Sequence, residues 1–173
     1  MASKLHWLHI VASETHTWYG AHGKRGLAAI EEHGMLVGRT GVLVHDCWAP
    51  YWRLDGSVHA LCNAHLLREL LYVKETTGQS WAQEMTDFLL NANKICTAAR
   101  EQQIVFSADD VRAFRTAYDW IVREGEQLNP ANSGRVKLST AVNLLRRFHQ
   151  HAVLNSSWRN MCLLWHIILG NKR

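Results

Sequence analysis

Asp46 closes the apolar run Gly41-Val42-Leu43-Val44-His45 and is followed by Cys47-Trp48-Ala49-Pro50-Tyr51. A carboxylate at the carboxyl end of a buried strand is held at the mouth of a sheet, where α/β folds place their chemistry. Hard divalent cations take oxygen donors, so an Asp here suits a magnesium ligand. Asp is equally a common turn-initiating and capping residue, and Pro50 forces an extended exit soon afterwards. The residue types alone leave both readings open. Two-metal chemistry on phosphodiesters needs several acids at one point, and this stretch has one.

A second cluster is His59-Ala60-Leu61-Cys62-Asn63-Ala64-His65-Leu66-Leu67-Arg68-Glu69-Leu70. Read as a helix, it puts Cys62, His65 and Glu69 on one stripe, three and four residues apart. Adding Cys47 or His45 would make a conceivable zinc site. Zinc needs four converging N or S ligands, and no second closely spaced pair is present. The expectation is therefore a buried, hydrogen-bonded Cys and His that tie the helix to the sheet. His6 and His9 fall on opposite faces of a strand, and His149 and His151, two apart on a helix, do not face each other. Most of the eleven histidines read as packing or surface residues. No nucleophile elbow, phosphate loop, Rossmann glycine pattern or paired-Cys knuckle occurs.

The elements that must carry these residues are legible from periodicity. Residues 6–12 read as a strand, with Leu8 and Ile10 on one face and Trp7, His9 and Val11 on the other. Residues 15–22 read as a second strand paired with it in a hairpin. Leu27 to His33 reads as a short helix stopped by Gly34, and Gly41 to His45 as the third strand. Leu54-Asp55-Gly56 is a turn signal. From about Val58 onward the pattern is helical. Leu61, Ala64, Leu67 and Leu71 mark the first long helix. Trp81, Met85, Phe88, Leu89, Ile95, Cys96 and Ala99 mark the second. Ser107 with Asp110 is a capping signature that opens a third helix with Val111, Phe114, Tyr118, Ile121, Val122 and Leu128 as its apolar face. After the loop 129–134, a fourth helix over 136–152 buries Leu138, Val142, Leu145 and Phe148 and exposes Lys137, Arg146 and Arg147. No internal repeat is evident.

At 173 residues and 47% apolar residues, with eight Trp, the chain has the size and core material of one domain with at most a small appendage. Cys47, Cys62, Cys96 and Cys162 are too few for a disulfide scaffold and suit a reducing compartment. The start lacks a signal-peptide core and the apolar stretch 161–170 is too short to span a bilayer, so a soluble intracellular protein is expected. The net charge of +4 is unevenly spread. No acid follows Glu126, while Arg135, Lys137, Arg146, Arg147, Arg159, Lys172 and Arg173 are basic; the rest has 12 Lys/Arg against 15 Asp/Glu. A basic end on a mildly acidic body fits contact with a polyanion, or simply a solvated helix face.

Four blocks taken together resemble the catalytic region of insertion-sequence-66 family transposases. They are Leu5-His6-Trp7-Leu8-His9, His22-Gly23-Lys24-Arg25-Gly26, Val44-His45-Asp46-Cys47-Trp48-Ala49-Pro50-Tyr51 and the His59–Leu70 cluster. The segment Ser133 to Leu145 also resembles the helical insertion of that family, and the similarity spans roughly Lys4 to Ala152. The resemblance implies a DDE-type, RNase H-like enzyme of bacterial DNA transposition, using Mg2+ or Mn2+ on transposon ends and target DNA. It makes Asp46 the second acid of the triad and a metal ligand, and Cys62 and His65 the family's Cys-x-x-His element. It implies an α/β fold in three parts: a partial RNase H-like sheet of a hairpin plus one strand (1–75), a mostly helical insertion (76–152) and an unmatched tail (153–173). The first Asp would lie upstream of Lys4 and the third Glu beyond the insertion, so a fragment truncated at both ends and inactive alone is expected. In that fold the first strand is central, and without it the hairpin and the Asp46 strand lose a shared neighbour. Arg135, Lys137, Arg146 and Arg147 are the DNA-contact candidates, on the basis of charge. A homo-oligomer or a full-length transposase is the candidate protein partner, and a cytoplasmic, nucleoid-associated location follows. The alternative is a non-enzymatic basic module that binds nucleic acid or an intact transposase.

Overall fold

A computed structural model describes residues 5–130 and 138–151. They fall into two compact units that divide between Cys62 and Asn63. The unmatched tail, Arg135 and Lys137 lie outside the described residues.

In the first unit, β1 (Trp7–Ala12) and β2 (Thr17–His22) form the expected antiparallel hairpin, in register from Trp7↔His22 to Ala12↔Thr17. Ser13 N–H closes the turn on His16 O at 2.8 Å. The alternation sets two faces. His9, Val11, Trp18 and His22 are half-buried, whereas Leu8, Ile10 and Tyr19 on the other face are 64%, 57% and 61% exposed. Gly20 sits directly opposite His9. A Cβ there would lie 2.1 Å from Trp18 Cη2 and 2.9 Å from His33 Cε1, so only glycine lets those rings approach the strand. α1 (Leu27–His33) ends as expected at Gly34, with φ +69°. Its Ile30 joins Leu36 and Leu54 in a core onto which Val11, Leu27, Leu43 and Tyr51 pack.

β3 (Gly41–His45) pairs in parallel with β4 (Ser57–Leu61), from Gly41↔Ser57 to His45↔Leu61. β4 corrects two expectations: a single strand beside the hairpin, and helix from Val58. Val58 is β-branched and Ser57-Val58-His59-Ala60 alternates with period two, which suits a ladder. Ser57 Oγ anchors the strand start by donating to Arg39 O at 2.8 Å. The crossover carries a short 3₁₀ turn, Ala49–Arg53, opened by Pro50. The result is α/β with two separate two-stranded sheets.

The second unit is four helices, α2 (Asn63–Thr77), α3 (Ser80–Glu101), α4 (Ala108–Leu128) and α5 (Thr140–His151). Each packs against the next, and α5 packs back on α2. α2 buries Asn63, Leu66, Leu70 and Val73, not the stripe through Leu61 and Leu71. Leu61 belongs to β4, so the helical phase starts two residues later and turns the buried face by about one position. α3 buries Trp81, Met85, Leu89, Cys96 and Ala99 as expected. α4 begins in the capping box, with Asp110 N–H donating to Ser107 Oγ at 3.1 Å and Ser107 N–H to Asp110 Oδ2 at 2.8 Å. The Ser107 hydroxyl and N–H hold the Asp110 carboxyl below its ordinary range. α5 buries Ala141, Leu144, Leu145 and Phe148, and the buried Tyr118 hydroxyl donates to Phe148 O at 2.9 Å.

Gly125 of α4 lies close against side chains of α5 and α3. A Cβ there would meet Leu145 Cδ2 at 2.5 Å and Trp81 Cδ2 at 2.9 Å. Gly125→Ala gains about 1 kcal/mol of helix propensity, but crowding a packed core costs about 1–3 kcal/mol. Urea unfolding is expected to show net destabilisation. A more stable variant would mean that α4 and α5 are not this close.

Candidate functional site

Asp46 follows the last residue of β3, at the carboxyl end of the parallel pair. Its neighbours fix its backbone. Cys47 takes φ +69°, a left-handed conformation that costs a non-glycine residue roughly 1–2 kcal/mol. Two hydrogen bonds hold the turn: Cys47 N–H donates to His45 Nδ1 at 3.1 Å, and Trp48 N–H to Asp46 Oδ1 at 3.1 Å. The second is the capping role open to an Asp here, and it leaves Oδ2 for another partner.

His45 anchors the turn from below and is only 5% exposed. With Nδ1 accepting from Cys47, its proton belongs on Nε2, which donates to His59 Nδ1 at 3.1 Å. His59 then carries its proton on Nε2 and donates to Leu54 O at 3.2 Å. One neutral tautomer on each ring satisfies the whole chain of bonds. His45 also packs on Tyr51 and Trp52, with ring centres 5.1 and 4.7 Å apart. The Asp46 turn is thus tied through two imidazoles to the strand β4 and the Leu54 turn.

Arg25 adds a positive charge to this corner. Its guanidinium lies 4.4 Å from the Trp48 ring centre and 5.5 Å from that of Trp7. Burial pushes the Tyr51 phenol up, the Asp46 charge pushes the same way, and Arg25 opposes both. Arg25, Tyr51 and Asp46 therefore share one electrostatic environment. Charge asymmetry pointed to the far end of the chain and missed Arg25; its place in His22-Gly23-Lys24-Arg25-Gly26 was the available signal.

The stripe Cys62–His65–Glu69 does not form. Cys62 lies outside α2 and extends the β ladder, its N–H donating to His45 O at 2.8 Å. His65 is on the first turn of α2 and is exposed rather than buried. Glu69 pairs with Arg147, whose Nη1 donates to Oε1 at 2.9 Å and whose Nη2 contacts Oε2. Arg147 is thus half-buried, not presented to solvent as expected. Arg146 is exposed, the one DNA-contact candidate so placed among the described residues. Among the described residues, no group of three or more His, Cys, Asp or Glu side chains could hold a metal ion. No helix among them is long and apolar enough to cross a membrane.

The chain matches the Transposase IS66 family over residues 1–159, and it belongs to that family. No curated protein and no solved structure matches it.

The imidazole relay under Asp46 is testable by stability. His59→Ala removes the His59 acceptor from the buried His45 Nε2–H, a loss of about 1–3 kcal/mol. Chemical denaturation is expected to show that loss, and a partial recovery in His59→Gln. A change within about 0.5 kcal/mol, ordinary for surface sites, would mean that the relay does not support the turn.

Proposed function

We propose that this member of the IS66 transposase family supplies Asp46 as the second acid of a DDE-type centre for DNA cleavage and strand transfer, and that the 173 residues alone do not catalyse either step. The observation that carries the reading is the position of Asp46. It sits at the carboxyl end of a parallel strand pair, on a turn braced by His45 and His59, with one carboxylate oxygen not used by the turn. Family membership supports reading this Asp as more than a turn residue.

The cofactor expected from the family is Mg2+ or Mn2+. The donor set present does not fit a two-ion centre: among the described residues, no further pair of acids or imidazoles is gathered with Asp46. Two hard cations need several carboxylates between them. Asp46 can contribute one oxygen donor, and the remaining acids have to come from outside this set.

We also read the four strands as part of an RNase H-like sheet. Val11 of β1 and Leu43 of β3 pack on one core, yet β1 bonds only to β2 and β3 only to β4 among the described residues. An antiparallel pair and a parallel pair that share a core without sharing a ladder suit a sheet whose central strand belongs between them. The partners are then transposon ends, target DNA and another transposase chain, met in the bacterial cytoplasm at the nucleoid. A purely basic binding module draws less support, since Arg147 is engaged by Glu69.

Supercoiled plasmid incubated with the purified chain and Mg2+ or Mn2+ tests the catalytic reading. No nicking dependent on Asp46 is expected; nicking that Asp46→Asn abolishes would overturn the claim that this chain is short of acids. The DNA contacts are tested by salt. Arg146→Ala is expected to lower the salt-dependence slope of DNA affinity by about 0.9 with folding unchanged. Arg147→Ala is instead expected to lose about 1.5–3 kcal/mol of stability, the range for hydrogen bonds to a charged group. The reverse pattern in these two variants would contradict their assigned roles.

A further inference from the structure

Three histidines behind the hairpin fasten the loop that joins β2 to α1. His9 Nε2–H of β1 donates to the Lys24 carbonyl at 3.1 Å, and Lys24 N–H donates to His22 Nδ1 at 2.9 Å. The His22 proton then belongs on Nε2, which donates to Glu32 Oε2 at 2.9 Å. One neutral tautomer on each ring satisfies these bonds. His33 of α1 packs edge-on against both, its ring centre 5.2 Å from that of His9 and 5.6 Å from that of His22. The Lys24 main chain is thus tied to both strands, and the next residue it presents is Arg25.

Arg25 is exposed, yet its guanidinium is held. It lies over the Trp48 and Trp7 rings at 4.4 and 5.5 Å from their centres, within the range over which an indole face attracts a cation. A stacked guanidinium gives its flat faces to the rings and keeps its in-plane N–H donors for an acceptor at its edge. Among the described residues, no carboxylate or carbonyl takes up those donors. Trp48 also belongs to the Asp46 turn, through its N–H bond to Asp46 Oδ1. Arg25 and Asp46 act in opposite senses on the Tyr51 phenol, so both charges reach one corner of the fold.

We propose that Arg25 grips a DNA phosphodiester at the Asp46 turn, with Trp7 and Trp48 holding its guanidinium ready. This assignment rests on the reading of Asp46 as an acid of DNA cleavage, and it adds the group that positions the substrate there. A phosphodiester approaching a lone carboxylate meets a like charge, and Arg25 offsets it. Two parallel N–H donors match two phosphate oxygens, a fit that an ammonium group lacks. Ordering a long side chain on binding costs affinity, and a side chain already held avoids much of that cost. The two indoles and the histidine-fastened loop supply that order. The contact is to the backbone of DNA and not to a base edge, so it fixes where the strand lies and reads no sequence.

Fluorescence anisotropy of a labelled DNA duplex with the full chain, in EDTA so that neither metal nor cleavage enters, tests the grip. Arg25→Ala is expected to weaken binding about 10-fold and to lower the salt-dependence slope by about 0.9. Arg25→Lys is expected to restore the slope but not the affinity. Asp46→Asn keeps the oxygen that caps Trp48 N–H and removes the like charge, so it is expected to tighten metal-free binding. That gain is expected to vanish in the Arg25→Ala background, where no phosphate is held beside it. Far-UV circular dichroism of each variant separates a lost contact from lost folding. Affinity and slope that Arg25→Ala leaves unchanged, while Arg146→Ala lowers the slope, would overturn the Arg25 assignment alone. An Asp46→Asn gain of equal size in both backgrounds would place the phosphate elsewhere and overturn it too. A parent chain that binds no DNA would overturn it together with the reading on which it rests.

Discussion

The parallel pairing of β3 with β4 is the constraint on which the placement of Asp46 depends. A parallel ladder aligns the carboxyl ends of both strands, so Asp46 and Cys62 leave the sheet at the same end. The ladder is only five residues deep, and the polar groups beneath its exit are buried. Two neutral imidazoles, His45 and His59, satisfy one another and the flanking backbone there. Such a network rigidifies when complete and is costly when broken. Here it is complete, which is why a left-handed Cys47 can be sustained directly after the strand.

The two units use different physics. The helical unit is closed by burial of Trp81, Tyr118, Leu144 and Phe148, none more than 2% exposed, and by the Arg147–Glu69 ion pair between α5 and α2. The strand unit has a smaller apolar core and leaves Leu8, Ile10 and Tyr19 largely exposed. It relies instead on imidazole contacts, both under Asp46 and behind the hairpin. Five of the eleven histidines are engaged in these two clusters, so histidine is a structural material of this unit.

Much of this was legible in residue order. The hairpin, the helix ending at Gly34, the strand before Asp46 and the capping box at Ser107 follow from alternation, a left-handed glycine and side-chain capping, all local effects. What was not legible depends on distant partners. β4 was hidden because Val58-His59-Ala60-Leu61 runs straight into a strong helical pattern, and only pairing with β3 decides its state. Arg147 looked like a solvated charge until α2 brought Glu69 to it. The histidine trio escaped because spacing along one strand or helix says nothing about rings supplied by three elements. Arg25 escaped because single-residue charge is silent about which aromatic faces it will meet.

Counting the manganese ions bound by the chain tests the central claim most directly. Electron paramagnetic resonance of the protein titrated with Mn2+, compared with Asp46→Asn, reads their number and mutual coupling. A lone carboxylate at a strand end predicts at most one weakly held, magnetically isolated ion that the variant loses. A spin-coupled pair of ions on the wild-type chain, abolished together in Asp46→Asn, would contradict the account.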